Sequence, residues 1–511
     1  MDAGRWLEAV DEFRSMQAAT DVNDQYSVPL LLQMSAAYLQ LDEYRNARSA
    51  ALAAAELQPQ HPAQFQATAN ALNLFGEPEQ LARLVDASST SELPGVVLTD
   101  TALLLSAFGM HERAMSLLER LDSKSTSIAQ ASYVRGLIDM FEGRMQQAEL
   151  GFRSALQHAP ALAHVHWLLS QVDAPETKSS HIEEMLSLRK QDIVDDASDA
   201  YIAYALHNEY HDLERYEEAW KALQRGCRAK RRLATYDASA TERLFTAIKI
   251  LCSDEFVRTG AALQDALTPV FIIGMHRSGT TLLERILAGH SDVADGGESF
   301  AFRTQVRLAT DHFSKGVLDL ETIERLAYAD FGQLGRSYLN SVRWRARGKS
   351  FLTEKLPSNL MYAGFIAKSL PQAKILHMVR DPMDTCWSNL RTHFGGAAAY
   401  SYDQIQIADY YAQYTDLMRH WRQVMPDRIL DVPYDALVSS PEATARRIFE
   451  FCGVPFEEGV LQIERSSGAV ATASSVLVRR GIRTDRGAAW RHYEEYLQPM
   501  HARLRELGFY E

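Results

Sequence analysis

The apolar run PVFII, residues 269–273, leads directly into GMHRSGTT and then LLERILAG. A run of strand length, then a glycine-bounded polar loop, then a segment with helical apolar spacing leaves few folds open. The run predicts a buried parallel strand, and the loop predicts the turn into a helix. Amide N–H groups of that loop and of the helix's first turn would converge on one spot, where the helix dipole also favours an anion. The spacing from Gly274 to Thr281 is that of a nucleoside-triphosphate loop, but Thr280 stands where such a loop has its lysine. Arg277 is the loop's own cation. That set suits a single 5′-phosphate carrying a different transferable group better than it suits ATP. A chance turn after a strand is the bland alternative, and an arginine with two hydroxyls at one turn speaks against it.

Composition then narrows the class. A chain of 511 residues is long enough for two or three domains with proper cores. Hydrophobic residues at 46% and charged residues at 23% are those of an ordinary globular protein. A formal charge of -13 argues against broad binding to nucleic acid and confines any anion site to a local pocket. Cys227, Cys252, Cys386 and Cys452 are scattered without C-x-x-C pairing, which suits neither a zinc site nor a disulfide framework. The opening MDAGRWLEAVDEF has acids among its apolar residues, and no stretch approaches 18 apolar residues. A cytoplasmic protein without a membrane anchor is the expectation.

The first half of the chain is rich in alanine and leucine and carries a repeat of about 34 residues. In YVRGLIDMFEGRMQQAELGFRSALQHAP, the residues Gly136, Gly143, Ala148, Phe152, Ala155 and Pro160 fall where a tetratricopeptide helix pair needs small residues and a terminal proline. SAAYLQLDEYRNARSAALAAAELQP repeats the pattern with Tyr38, Tyr44, Ala47, Ala54 and Pro59. Ala114 lies 34 residues before Ala148, and Tyr216 with Ala219 marks a late copy. An N-terminal all-α tetratricopeptide solenoid over residues 1–235 is predicted, followed by a helical linker over 236–267. Such arrays dock peptides or partner proteins, dimerise, or brace a neighbouring domain. A homodimer therefore stays open.

From residue 268 to 511 the pattern changes. Strand-length runs PVFIIGM, FLTEKLP, AKILHMVRD and RILDVPY alternate with helical segments, which predicts an α/β domain with a parallel sheet of the P-loop-like kind. Functional groups should gather at the carboxyl ends of its strands. Arg380 ends one of these runs and Ser388 lies two turns into the next helix, so the two can converge on one phosphate. A surface Arg380–Asp381 pair with a solvated serine is the competing reading. Glu298 follows a Gly-Gly pair that allows close backbone approach to a ligand, although an acid in a helix's first turn is also simply favourable there. Lys355 stands at a strand end, where many lysines are merely solvated.

The stretch PVFIIGMHRSGTTLLERILAGHSDVADGGES resembles the sulfotransferases that use 3′-phosphoadenosine 5′-phosphosulfate (PAPS). More narrowly, it is similar to tyrosylprotein sulfotransferases and to bacterial relatives carrying tetratricopeptide repeats. The resemblance covers about residues 268–500. It implies that Arg277, Ser278, Gly279, Thr280 and Thr281 cradle the 5′-phosphosulfate and that Arg380 and Ser388 bind the 3′-phosphate. It further implies that Glu298 is the catalytic base and that Lys355, with Arg277, stabilises the transition state. Ser474 matches a serine near the transferring group, Arg480 a cofactor-binding cation, and Tyr434 a tyrosine near the nucleotide. Relatives carry Gln, Pro and a basic residue where this chain has Leu477, Gly481 and Ala489, and some carry an arginine where it has Thr392, beside Arg391. Arg483, Arg486 or Arg491 would then supply the missing charge.

The expected reaction is transfer of the sulfuryl group of PAPS to an acceptor hydroxyl, without a metal and with PAP released. The acceptor could be a protein tyrosine docked on the repeats, a sugar or a small phenol. Two other readings stay open at this level. A P-loop kinase or NTPase would share the loop but should have its lysine. A tetratricopeptide scaffold with an inactive nucleotide-binding domain would explain the departures near the C-terminus.

Overall fold

The computed structural model describes residues 3–19, 27–88, 93–121, 127–172, 177–189, 195–261, 263–396, 398–463, 482 and 488–511. It divides into two compact units, one made of Met1–Ile138 with Phe300–Tyr338 and the other of Asp139–Ser299 with Leu339–Glu511.

The first unit is helical throughout its described residues. Helices Ser27–Gln40 and Tyr44–Glu56 pack as a pair. Its seam is made by small residues, with Ala47, Ala51 and Ala54 fully buried. Tyr44 is also fully buried, its ring 5.3 Å from that of Phe75 and 6.1 Å from that of Phe313. Helices Gly95–Ala107 and His111–Leu118 form a second pair that buries Ala114. The segment 300–338 is tied to these helices by charge. Asp42, at φ +59° in the turn between the first pair, accepts from Arg325 Nη2 at 2.7 Å and lies 2.7 Å from His312 Nδ1. Arg45 donates to the carbonyls of Leu308 and Ala309, each at 2.8 Å.

The second unit holds a five-stranded sheet of β1 (Thr268–Gly274), β2 (Val293–Ala294), β3 (Phe351–Lys355), β4 (Lys374–Val379) and β5 (Ile429–Pro433), in the order β2-β3-β1-β4-β5. Every pairing is parallel. β1 is buried along nearly its whole length, as a central strand covered on both faces must be. The four expected runs all appear as strands. The two-residue β2 is an addition, because a run so short has no period to read. β1 lies between β3 and β4, so the chain leaves its carboxyl end towards one side and later returns on the other. A crevice at that end is the usual place for a ligand.

Helices Asp196–Asp212 and Tyr216–Leu233, also in this unit, pack closely because Gly226 faces the ring of Tyr204; a Cβ there would come within 2.8 Å of it. Tyr204 Oη donates to the carbonyl of Leu390 at 3.1 Å, and Lys230 Nζ to that of Phe394 at 3.0 Å. Among the described residues, no helix is long and apolar enough to cross a membrane.

Candidate functional site

The loop after β1 is shaped by its glycines. Gly274 has φ +152°, and a Cβ there would meet the Met378 carbonyl at 2.9 Å. Gly279 caps the helix Thr280–Ala288 at φ +108°, where a Cβ would come within 2.6 Å of the Tyr434 ring. Arg277 between them also takes a positive φ of +68°. Ser278, Thr280 and Thr281 are buried. The buried hydroxyl of Ser278 meets no hydrogen-bond partner among the described residues. An unsatisfied hydroxyl beside a helix N-terminus, with an arginine in the same loop, fits a phosphate or sulfate oxygen.

The second anion signature converges on the first. Arg277 Nε donates to Ser388 Oγ at 3.3 Å, which joins the loop to the helix Pro382–Leu390. Arg380, at the end of β4, donates to the Arg277 carbonyl at 3.4 Å and lies 4.6 Å over the Tyr434 ring. Asp384 approaches Arg380 Nη2 at 3.6 Å and accepts the Ala488 N–H at 2.8 Å. Burial pushes the Asp384 carboxyl up, and Arg380 opposes the shift. Thus Arg277, Arg380, Ser388 and Tyr434 meet although they lie on four separate elements.

The chemistry-bearing pair lies next to the loop. In the register of β1 and β3, Lys355 is opposite Ile272, two residues before the loop begins. Lys355 is wholly buried and ion-paired with Glu298, whose side chain remains 37% exposed. A buried cation thus holds an accessible carboxylate. His276, inside the loop, bonds through Nδ1 to Tyr400 Oη at 3.0 Å. Burial pushes its imidazole down to about 4; Glu298 opposes this, while Lys355 and Arg277 add to it. His276 is therefore neutral near pH 7.

Some residues relevant to the site were not legible beforehand. Glu284, one turn into the helix after the loop, accepts from the Thr353 hydroxyl at 3.1 Å and from the Gly297 N–H at 3.2 Å. Burial and the neighbouring Asp295 push its carboxyl well above the usual range. Within LLERIL it looks like an ordinary helix-surface acid. Arg391 contacts His211 Nε2 at 3.4 Å and lies 5.7 Å over Trp387, while Thr392 Oγ1 donates to the Ser388 carbonyl at 2.7 Å. Ala489 opens the short helix Ala489–Tyr493, and Arg491 is exposed in it. Ser474, Arg480, Leu477, Gly481, Arg483 and Arg486 lie outside the described residues.

The site is thus a parallel α/β unit with a glycine-shaped loop after its central strand, an arginine-serine contact beside that loop and a lysine-paired carboxylate. Residues 269–458 match the family model described as "Sulfotransferase family". This part of the chain is similar to that family, and within it to the protein-tyrosine sulfotransferases. Protein-tyrosine sulfotransferase 1 of Danio rerio is 25% identical over 225 residues, 41% of this chain and 60% of that protein. An uncharacterized protein of Aquifex aeolicus (strain VF5) is 28% identical over 356 residues, 67% of this chain and 46% of its own. The chain spans about half the length of the curated relatives it matches. The sulfotransferase domain from the Synechococcus PCC 7002 olefin synthase aligns with a TM-score of 0.34 at 23% identity, covering 49% of this chain and 98% of that domain. That likeness is too loose to bear on the site.

Proposed function

We propose that the chain transfers the sulfuryl group of PAPS to an acceptor hydroxyl, with a tyrosine of a peptide or protein as the acceptor. The reading is carried above all by the pairing of wholly buried Lys355 with partly exposed Glu298, next to the anion loop. A carboxylate held this way is reachable by an acceptor and is close to a cation that can receive growing charge.

In this reading PAPS supplies an activated sulfuryl group on a bisphosphate leaving group. Ser278, Gly279, Thr280 and Thr281 hold its 5′-phosphosulfate, and Arg380 with Ser388 holds the 3′-phosphate. The unsatisfied Ser278 hydroxyl and the Arg277–Ser388–Arg380 convergence support this assignment. Glu298 takes the acceptor proton, while Arg277 and Lys355 stabilise charge on the departing phosphate. Tyr434 packs against Arg380 near the nucleotide; Ser474 and Arg480 keep the roles the resemblance gives them. No metal is needed, because a sulfuryl group carries less negative charge than a phosphoryl group and fixed cations suffice. A tyrosine phenol, with a pKa near 10, is a tractable nucleophile beside a carboxylate base and two cations.

We further read residues 1–235 as a tetratricopeptide array that docks a protein acceptor, 236–267 as a linker and 268–511 as the catalytic domain of a cytoplasmic enzyme. The buried Ala47, Ala54, Ala114, Ala148, Phe152, Ala155 and Ala219 at repeat positions support the array. A homodimer is compatible with it. Incubation with sulfur-labelled PAPS, a tyrosine peptide and a small phenol, followed by mass spectrometry, tests the reading. Labelled product without added metal is expected. Phosphoryl transfer from ATP, or PAP binding with no turnover on any acceptor, would overturn it.

A further inference from the structure

Glu298 and Lys355 account for the proposed proton transfer, but a second, buried carboxyl cluster lies beneath them. The loop from Asp295 to Glu298 is pinned against β3 from both sides. The Gly297 N–H is shared between Glu284 Oε1 at 3.2 Å and Asp295 Oδ1 at 3.1 Å, while the Gly297 carbonyl accepts the Lys355 N–H at 2.9 Å. Thr353 completes the arrangement: its hydroxyl donates to Glu284 at 3.1 Å and accepts the Gly296 N–H at 3.2 Å. Gly296 lies so close to the strand that a Cβ would come within 2.0 Å of the Thr353 carbonyl. Glu298 is the next residue after the pinned peptide.

Glu284 is 3% exposed and shares the Gly297 N–H with Asp295, which Arg285 Nη1 approaches at 3.7 Å. Two buried carboxyl groups on one N–H repel each other, which favours a proton on one of them. Burial and Asp295 raise the Glu284 carboxyl.

We propose that Glu284 is a positioning residue for the transfer reaction: a buried acid that clamps the Gly297 peptide and so presents Glu298 to Lys355 and to the acceptor. The kinetic part rests on the sulfuryl-transfer reading; the clamp itself does not. Two measurements on the full chain separate them.

The first is turnover of a small phenol with PAPS. Glu284→Ala should lower kcat about 10–100-fold, as misplacement of a catalytic group does, with acceptor KM and PAP affinity within about threefold. Glu284→Gln, which can still accept from Gly297 and Thr353, should restore kcat to within about threefold. The second is amide hydrogen exchange over the 295–298 loop, expected to speed up in the alanine variant and to stay slow in the glutamine variant. Wild-type turnover and slow exchange in Glu284→Ala would overturn the proposal, and so would a glutamine variant as slow as the alanine one. Should Glu284→Ala fail to fold, Thr353→Val removes one contact to the same carboxyl. Its kcat and loop exchange must then shift in the same directions; if neither moves, the proposal fails. A wild-type protein that sulfates no phenol but shows the expected exchange pattern would sink the transfer reading alone.

Discussion

Gly279→Ala is the sharpest test of the anion loop. The residue has φ +108° and ψ +13°, a region that L-residues enter at a cost of about 1–3 kcal/mol. Its new methyl would also lie 2.6 Å from one edge carbon of the Tyr434 ring and 3.0 Å from the next. The ring cannot yield freely, since Tyr434 is 8% exposed and packs in the core around Ile272, Leu283 and Val432. Its displacement would also loosen the Arg380 guanidinium 4.6 Å above it, a contact of about 0.5–2 kcal/mol. Together these predict a destabilisation of about 2–5 kcal/mol, with PAP binding weakened at least tenfold. The two causes separate in a double-mutant cycle measured by urea unfolding. In a Tyr434→Ala background the steric part vanishes, leaving only the backbone part, so the two substitutions should couple by about 1–2 kcal/mol. A Gly279→Ala protein with unchanged stability and PAP affinity would refute the loop geometry. Strict additivity would refute the Tyr434 contact.

Three further outcomes are expected. Arg380→Ala should weaken PAP by roughly tenfold to a hundredfold in calorimetry, the value of a charge-assisted contact, and should leave AMP binding nearly unchanged; equal loss for both ligands would move the 3′-phosphate elsewhere. Glu298→Gln should lower turnover by about 10²–10⁴-fold with PAP affinity unchanged, and an active glutamine variant would assign the base to another group. His166, buried with Nδ1 2.9 Å from His181 Nε2, is held down to about 4 by burial, against a backbone contact to Pro160 that raises it. Its folded value lies below its unfolded one, so its contribution is complete above about pH 6.5 and is lost as pH falls towards 4, at up to about 1.4 kcal/mol per unit. Denaturation at pH 7 and pH 5 should therefore show His166→Phe losing about 2 kcal/mol less than wild type over that interval, and an equal loss would count against a buried neutral imidazole.

How much of this was readable from the chain depends on the distance over which each feature is encoded. β1, β3, β4 and β5 were legible because each is a local apolar run bounded by turn residues, and a run buried on both faces predicts a parallel sheet. The loop was legible for the same reason: its glycines, arginine and hydroxyls are contiguous. The convergence of Arg380 and Ser388 with Arg277 is a tertiary fact, 103 and 111 residues apart, and spacing alone left it open. Glu284 was invisible, since its meaning comes from Thr353 and Gly297 rather than from its helix neighbours.

The segment 300–338 shows the limit most clearly. It falls in sequence between Glu298 and Lys355, inside the stretch where strands alternate with helices, and nothing in its composition sets it apart. Yet it folds with the helices of Met1–Ile138. The reason is a set of ionic and backbone contacts across 263 to 283 residues, centred on Asp42, Arg45, His312 and Arg325. His312 has Asp42 2.7 Å from Nδ1 and Asp319 3.0 Å from Nε2, and two acids around one ring hold its imidazole above the usual range against its own burial. An imidazole that must donate from both nitrogens is worth most when protonated, so this tie is complete at low pH and is lost as pH rises through the raised folded value. Its pH dependence is opposite in sign to that of His166.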